Sequence, residues 1–257
     1  MNYRRILTLA HFTLLEAWRT RMGSVFMVAL VLVSGAAYFF QQLAITESER
    51  LQIVFCAAAS RLVAVFVLSL HILTSIVREF NDKGLELTLS FDVRRSHYVA
   101  GRMMGFVLLA FVMALIASVP QFILAPAREV IQWGISLAFE LVVVAALSVF
   151  CVMTFTQLMP AAGFVTGFYI LSRALSAIQL IGDSPVADRA ALSHQVMVWL
   201  VDALALVLPA LDRFTQSAWL VDGTASWTVI GFCVVQATLY ATLLMFAAMF
   251  DFCRRNI

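Results

Sequence analysis

Six runs of mostly apolar residues, each long enough to cross a bilayer, constrain this chain more than any other feature. A membrane-spanning helix needs about 20 predominantly apolar residues. Such runs lie at 23–44, 53–77, 103–125, 131–157, 161–182 and 227–250. Charged residues make up only 12% of the chain, compared with about 25% in soluble domains. The sequence therefore predicts an all-α membrane protein with six transmembrane helices, forming one domain over residues 1–257.

The segment before the first span, residues 1–22, has the pattern of an amphipathic interfacial helix. When residues are spaced about 100° apart, Leu7, Ala10, Ala17 and Trp18 share one arc and the charged Glu16 lies opposite. A basic helix with a tryptophan on its apolar side favours the membrane surface. The alternative is that this helix only extends the first span.

Lysine and arginine are distributed unevenly between the loops. Eleven of the 17 lie before the first span, between the second and third, or after the last: Arg4, Arg5, Arg19, Arg21, Arg78, Lys83, Arg94, Arg95, Arg102, Arg254 and Arg255. The opposite loops hold only Arg50, Arg128, Arg189 and Arg213. Because basic loops stay on the cytoplasmic side, we expect both termini in the cytosol. Trp133 and Trp227 open their spans at the other side, and we expect both rings at that interface.

The segment between the fifth and sixth spans, residues 183–226, is predicted to be extracytoplasmic. Within it, residues 195–211 are apolar enough to suggest a seventh span. They contain Asp202 and Pro209, however, and a seventh span would move the basic C-terminus to the outside. We therefore expect a capping or re-entrant segment that does not cross the membrane.

The longest charged stretch between spans, residues 78–102, joins the second and third spans. The pattern from Arg78 to Ser90 continues the second helix, and Asp92 is placed to cap a new helix from Val93 onward. The sequence thus predicts a cytoplasmic helix-turn-helix elbow. Such an elbow is either a handle for a soluble partner or a solvated connection held by salt bridges.

The elbow resembles the signature of the type 2 ATP-binding-cassette (ABC) exporter permeases. The matching residues are Glu79, Gly84, Glu86, Leu89, Arg95, Tyr98, Gly101 and Arg102. The sequence LPALDRF at 208–214 is similar to a Leu-Pro patch before the last span of that family. The chain departs from the family at Asp92, where proline is usual, and at Leu85, where threonine is frequent.

The resemblance implies a non-catalytic permease subunit in a bacterial inner membrane. Two copies would pair, and each elbow would dock as a coupling helix on a cytoplasmic ABC ATPase that binds ATP and Mg²⁺. The implied contact residues are Glu79, Asp82, Lys83, Gly84, Leu85, Glu86, Leu89, Asp92 and Arg95. The chain has no GxxxxGK phosphate loop, so we expect it to bind no cofactor or metal itself. No nucleic-acid partner is expected.

Three ionisable residues lie inside predicted spans at similar depth. Arg61, Glu140 and Arg173 are each about 12–14 Å below the outer end of their helix, at about 1.5 Å per residue. Intramembrane charges mark ion pairs or pathways. We hypothesise that Glu140 pairs with Arg61 or Arg173, and that the other arginine, with Asp202, faces a polar cavity. The alternative is a purely structural ion pair.

Two other functional classes compete with the ABC permease. A secondary transporter would bind its substrate near the bilayer midplane on broken helices, whereas Pro120 and Pro160 lie near span ends. An intramembrane enzyme would need a catalytic motif, and neither HExxH nor GxSxG occurs in the chain.

Overall fold

A computed structural model describes residues 2–43, 48–82, 95–182 and 208–254, together with the isolated positions 199, 201 and 204. Within these ranges every regular element is helical. The helices are α1 (Asn2–Arg19), α2 (Met22–Leu43), α3 (Ser48–Asn81), α4 (Arg95–Ser118), α5 (Gln121–Leu124), α6 (Ala127–Phe155), α7 (Leu158–Gly182), α8 (Ala218–Asp222) and α9 (Trp227–Arg254), with one 3-10 turn at Leu211–Arg213.

Six helices in the described ranges are long and apolar enough to cross a membrane, which confirms the predicted number of spans. They are Met22–Leu43, Ser48–Asn81, His97–Leu124, Ala127–Phe155, Leu158–Leu175 and Trp227–Phe252. The sequence predicts that the second span starts at residue 53, but its helix starts at Ser48, because the polar first turn can stand in the headgroup layer. Its 34 residues extend about 51 Å, well beyond the hydrocarbon core.

Helix α6 forms the centre of the bundle. In its most apolar stretch 83% of the residues are buried, compared with 17% for α2 and for α9. Helices α3, α4, α7 and α9 all pack against it. A helix that is apolar on every side belongs in the interior, whereas α2 and α9 leave broad apolar faces for lipid. Trp133 is fully buried on α6, so its ring packs inside the bundle and not against lipid, whereas Trp227 is exposed.

The third span is broken near its C-terminal end by Pro120. Proline has no backbone N–H to donate, so α4 ends at Ser118 and the short α5 follows. Ala125 is extended and Pro126 precedes the first turn of α6. The short connection through α5, Ala125 and Pro126 sets α4 and α6 side by side.

Helix α1 occupies the predicted N-terminal position and packs along α4. Its apolar arc is divided between two environments: Ala10 and Ala17 are buried against the bundle, whereas Leu7 and Trp18 are exposed on the other side of the arc. Thr13 and Glu16 also point toward the bundle, which the helical pattern alone did not predict.

The closest approach of α1 to α4 is at Gly105. A Cβ atom placed there would lie 2.5 Å from the Cβ of Thr13, a distance that real side chains do not adopt. The missing side chain thus lets α1 lie directly on α4. The elbow residues 83–94 and nearly all of the 183–207 segment lie outside the described residues.

Gly105→Ala should therefore weaken the docking of α1. Because the added methyl group meets Thr13, we expect a loss of about 1–3 kcal/mol from overpacking. Thermal unfolding of the purified protein in detergent would measure the loss. The labelling of buried cysteines such as Cys56 and Cys151, which become accessible on unfolding, would report the transition.

Gly163→Ala is the matched control, because a Cβ at Gly163 meets no atom within 4 Å. In a helix this change should be neutral or slightly stabilising. Equal thermal shifts for the two variants would contradict the close packing of α1 at Gly105.

Candidate functional site

A polar cluster inside the membrane-spanning bundle is built around Glu140 of α6, whose side chain is completely buried. The hydroxyl of Tyr169 donates to its Oε1 atom at 2.9 Å, and the hydroxyl of Thr215 donates to Oε2. The Nη1 atom of Arg173 lies 3.3 Å from Oε1. A buried carboxylate needs such partners, since an uncompensated charge in a low-dielectric interior is costly.

Two arginines hold the chain just before α8 against this cluster. Arg173 donates through Nη1 to the backbone carbonyls of Leu211 at 2.7 Å and Phe214 at 3.2 Å. Arg61 donates to the carbonyl of Thr215 at 2.9 Å. The backbone N–H of Thr215 in turn donates to the hydroxyl of Ser136 at 3.0 Å. The cluster therefore joins α3, α6 and α7 to the segment 211–215.

The sequence left open whether Glu140 pairs with Arg61 or with Arg173. Glu140 forms its ion pair with Arg173, and Arg61 reaches the same cluster through a carbonyl group. Asp202 lies outside the described residues. Among those that are described, the cluster contains two guanidinium groups and one carboxylate, so these three groups together carry an excess positive charge.

Sequence reasoning missed three members of the cluster. Tyr169 lies four residues before Arg173, and Ser136 lies four residues before Glu140, so each shares a helix face with its charged neighbour. That spacing was a usable signal. Thr215 had none, because it lies in an irregular segment, with a left-handed φ of 47°.

A second cluster lies at the other end of the bundle, around Arg102 of α4. Its guanidinium lies 2.8 Å from the Glu16 carboxylate of α1 and 3.0 Å from the Glu79 carboxylate of α3. It also donates to the hydroxyls of Ser75 at 2.7 Å and Thr13 at 3.2 Å. Arg102 is almost fully buried, so these bonds are shielded from water. The Arg102 cluster ties α1, α3 and α4 together.

Burial pushes the pKa of Glu16 upward, but its partners outweigh burial. The Arg102 guanidinium, the Ser75 hydroxyl at 2.6 Å and the nearby His71 ring hold the pKa of this carboxyl below its ordinary value of 4.5. Glu16 is therefore ionised whenever the pH is near neutral, and its charge stabilises the folded state.

The residues expected to contact an ATPase fall into three groups. Glu79 points inward to Arg102, so its carboxylate serves the protein's own packing. Asp82 is exposed at the end of α3. The backbone of Arg95 begins α4, and the remaining residues, Lys83, Gly84, Leu85, Glu86, Leu89 and Asp92, lie outside the described residues.

Comparison with known proteins gives no relative for this chain: no protein-family model and no curated protein matches it.

Glu140→Gln should destabilise the protein strongly. The amide keeps the shape of the side chain but removes the charge that compensates Arg173, and breaking a buried ion pair costs about 3–5 kcal/mol. Thermal unfolding in detergent would measure the loss.

Asp222→Asn provides the control for Glu140→Gln. It removes an ion pair with Arg50 in which both side chains are more than a third exposed, so the expected loss is below about 1 kcal/mol. A stability of Glu140→Gln equal to that of Asp222→Asn would refute the role given to Glu140.

The lowered pKa of Glu16 predicts a pH dependence of stability. Because the folded-state pKa lies below the unfolded value of about 4.5, the contribution of Glu16 is fully present above about pH 4.5 and is lost as the pH falls through the folded-state pKa. Thermal unfolding of the wild type and of Glu16→Gln, measured from neutral to acidic pH, would isolate this contribution. The wild type should be the more stable at neutral pH, and the difference should shrink below about pH 4.5. A difference that does not change with pH would contradict the ionised state of Glu16.

Proposed function

We propose that this chain is the membrane subunit of an ABC exporter, driven by a separate ATPase that docks on the segment between α3 and α4. The observation that carries the proposal is a mechanical one. A single helix, α3, contributes Ser75 and Glu79 to the Arg102 cluster near its C-terminal end and Arg61 to the Glu140 cluster near its middle.

The Arg102 cluster stands at the base of the charged segment 83–94. Helices α3 and α4 are the two arms that this segment connects, and Arg102 of α4 binds Glu79 and Ser75 of α3. A force on the segment would move both arms together with α1, because Glu16 of α1 shares the same guanidinium.

Helix α3 carries that movement toward the opposite side of the membrane. Ser75 and Arg61 are 14 positions apart, so the two clusters lie about 21 Å apart along the helix. A displacement of α3 would pull on the carbonyl of Thr215 through Arg61, and hence on Glu140. Alternate hydrogen-bond pairings in the Glu140 cluster would let α3 shift against α6 and α7.

The remaining features of the proposal follow from the charge distribution and the resemblance. The termini and the segment 83–94 face the cytosol of a bacterial cell, residues 183–226 cover the outer side, and two copies of the chain pair. ATP and Mg²⁺ bind to the ATPase.

Charge reversal on the elbow tests the proposal directly. Asp82→Lys with Glu86→Lys should abolish co-purification of a soluble ATPase that contains a GxxxxGK[ST] loop, because both carboxylates are expected to face it. Glu79 is unsuitable for this test, since its reversal would also break the pair with Arg102. Asp222→Lys at the opposite end of the bundle is the matched control and should leave co-purification unchanged.

Unfolding temperatures of all three proteins would separate lost docking from lost folding. If the double variant folds and still retains the ATPase, the docking site is wrong. If the wild type copurifies with no such ATPase and moves solute along an ion gradient in ATP-free vesicles, the chain is a secondary transporter instead.

A further inference from the structure

An open cavity of about 620 Å³ lies between the C-terminal half of α1 and the end of α3. Among the residues that the structure describes, six line it: Phe12, Leu15, Glu16, Arg19, Thr20 and Arg78. Its volume falls within the range of about 300–1,000 Å³ that is typical of small-molecule pockets. Neither of the two clusters described above accounts for it.

The electrostatics of the cavity favour an anion. Arg19 and Arg78 both line it, and neither side chain has an ion-pair partner among the residues that the structure describes. The one acidic residue in the wall, Glu16, directs its carboxylate to Arg102 and Ser75. Its charge is thereby compensated, and the two free guanidinium groups set the sign of the cavity.

The position of the cavity is the level of the lipid headgroups. Arg19 lies just before the first span, which begins at Met22, and Arg78 lies in the last turn of α3, which ends at Asn81. Around the opening, Phe12 is 61% exposed, Leu15 44% and Trp18 86%. Large exposed apolar and indole side chains next to arginine are typical of a helix that lies in the headgroup layer.

We infer that this cavity binds the phosphate of an anionic phospholipid from the adjacent leaflet. The planar guanidinium groups of Arg19 and Arg78 can each donate two parallel hydrogen bonds to phosphate oxygens. Phe12 and Leu15 offer an apolar wall to the glycerol backbone and the first part of an acyl chain. Basic pockets at the ends of membrane helices take lipid headgroups in this way.

A lipid in this position bridges α1 and α3 next to the Arg102 cluster. Its phosphate carries one negative charge, which offsets part of the positive charge of Arg19 and Arg78, so it stabilises the docked position of α1. The inference needs only that α1 lies at the membrane surface, and it stands independently of transport or of any ATPase.

Native mass spectrometry of the purified full-length chain with added phosphatidylglycerol or phosphatidylcholine tests the site. The wild type should retain phosphatidylglycerol preferentially. Arg19→Gln with Arg78→Gln should lower its affinity by roughly tenfold or more, because each basic residue near an anionic surface contributes on the order of a fivefold gain in binding. Affinity for phosphatidylcholine should not change.

Arg254→Gln is the matched control. Arg254 is exposed near the end of α9 and stacks on the Phe250 ring at 5.1 Å, so its loss removes one charge without touching the cavity. It should leave phosphatidylglycerol retention unchanged. Equal losses in the control and the double variant would show a general charge effect and overturn the site.

Two further measurements keep the inference decidable. If the double variant does not fold, the single variants Arg19→Gln and Arg78→Gln should each show a partial loss of affinity for phosphatidylglycerol. Independently of the variants, equal affinities of the wild type for the two lipids would overturn the inference. Inorganic phosphate at millimolar concentration should not displace phosphatidylglycerol, because it lacks the apolar part of the ligand. Displacement by phosphate alone would show a free-anion site instead of a lipid site.

Discussion

The arrangement of the half of the bundle around residues 211–215 depends on one fully buried carboxylate. Glu140 lies on the central helix α6, where its side chain is completely buried and its charge needs partners within the protein. Its compensation brings Arg173 of α7 and Thr215 of the 211–215 segment to one point. The packing around Glu140 is therefore set as much by the need to satisfy this charge as by the shape of the apolar side chains.

Helix α3 gives the molecule its long-range connection. It contributes Arg61 to the Glu140 cluster, and Ser75 and Glu79 to the Arg102 cluster. It is also the longest helix in the described part of the chain. In lipid, apolar surfaces between helices gain little from association, so polar contacts and close packing carry more of the specificity. The two clusters and the contact of Thr13 with Gly105 are interactions of these kinds.

The sequence was sufficient for some features because they depend on position along one helix. Six spans follow from apolar length, and the equal depth of Arg61, Glu140 and Arg173 follows from counting residues. The choice of Arg173 over Arg61 as the partner of Glu140 depends on how each helix is rotated about its axis, which no counting provides. The same limit explains Trp133, which lies at a span end yet faces the core, and Glu79, which turns inward to Arg102.

The hydrogen bonds from Arg61 and Arg173 to the 211–215 segment have a consequence for evolution. The acceptors at Leu211, Phe214 and Thr215 are main-chain carbonyl oxygens, which every amino acid supplies. Point changes in this stretch thus leave the anchoring groups in place, whereas inserting or deleting a single residue shifts all of them out of register. Leu211 and Phe214 are also buried, and the Thr215 hydroxyl donates to Glu140, so lineages descended from this chain are held to a constant length here and to a hydroxyl side chain at 215.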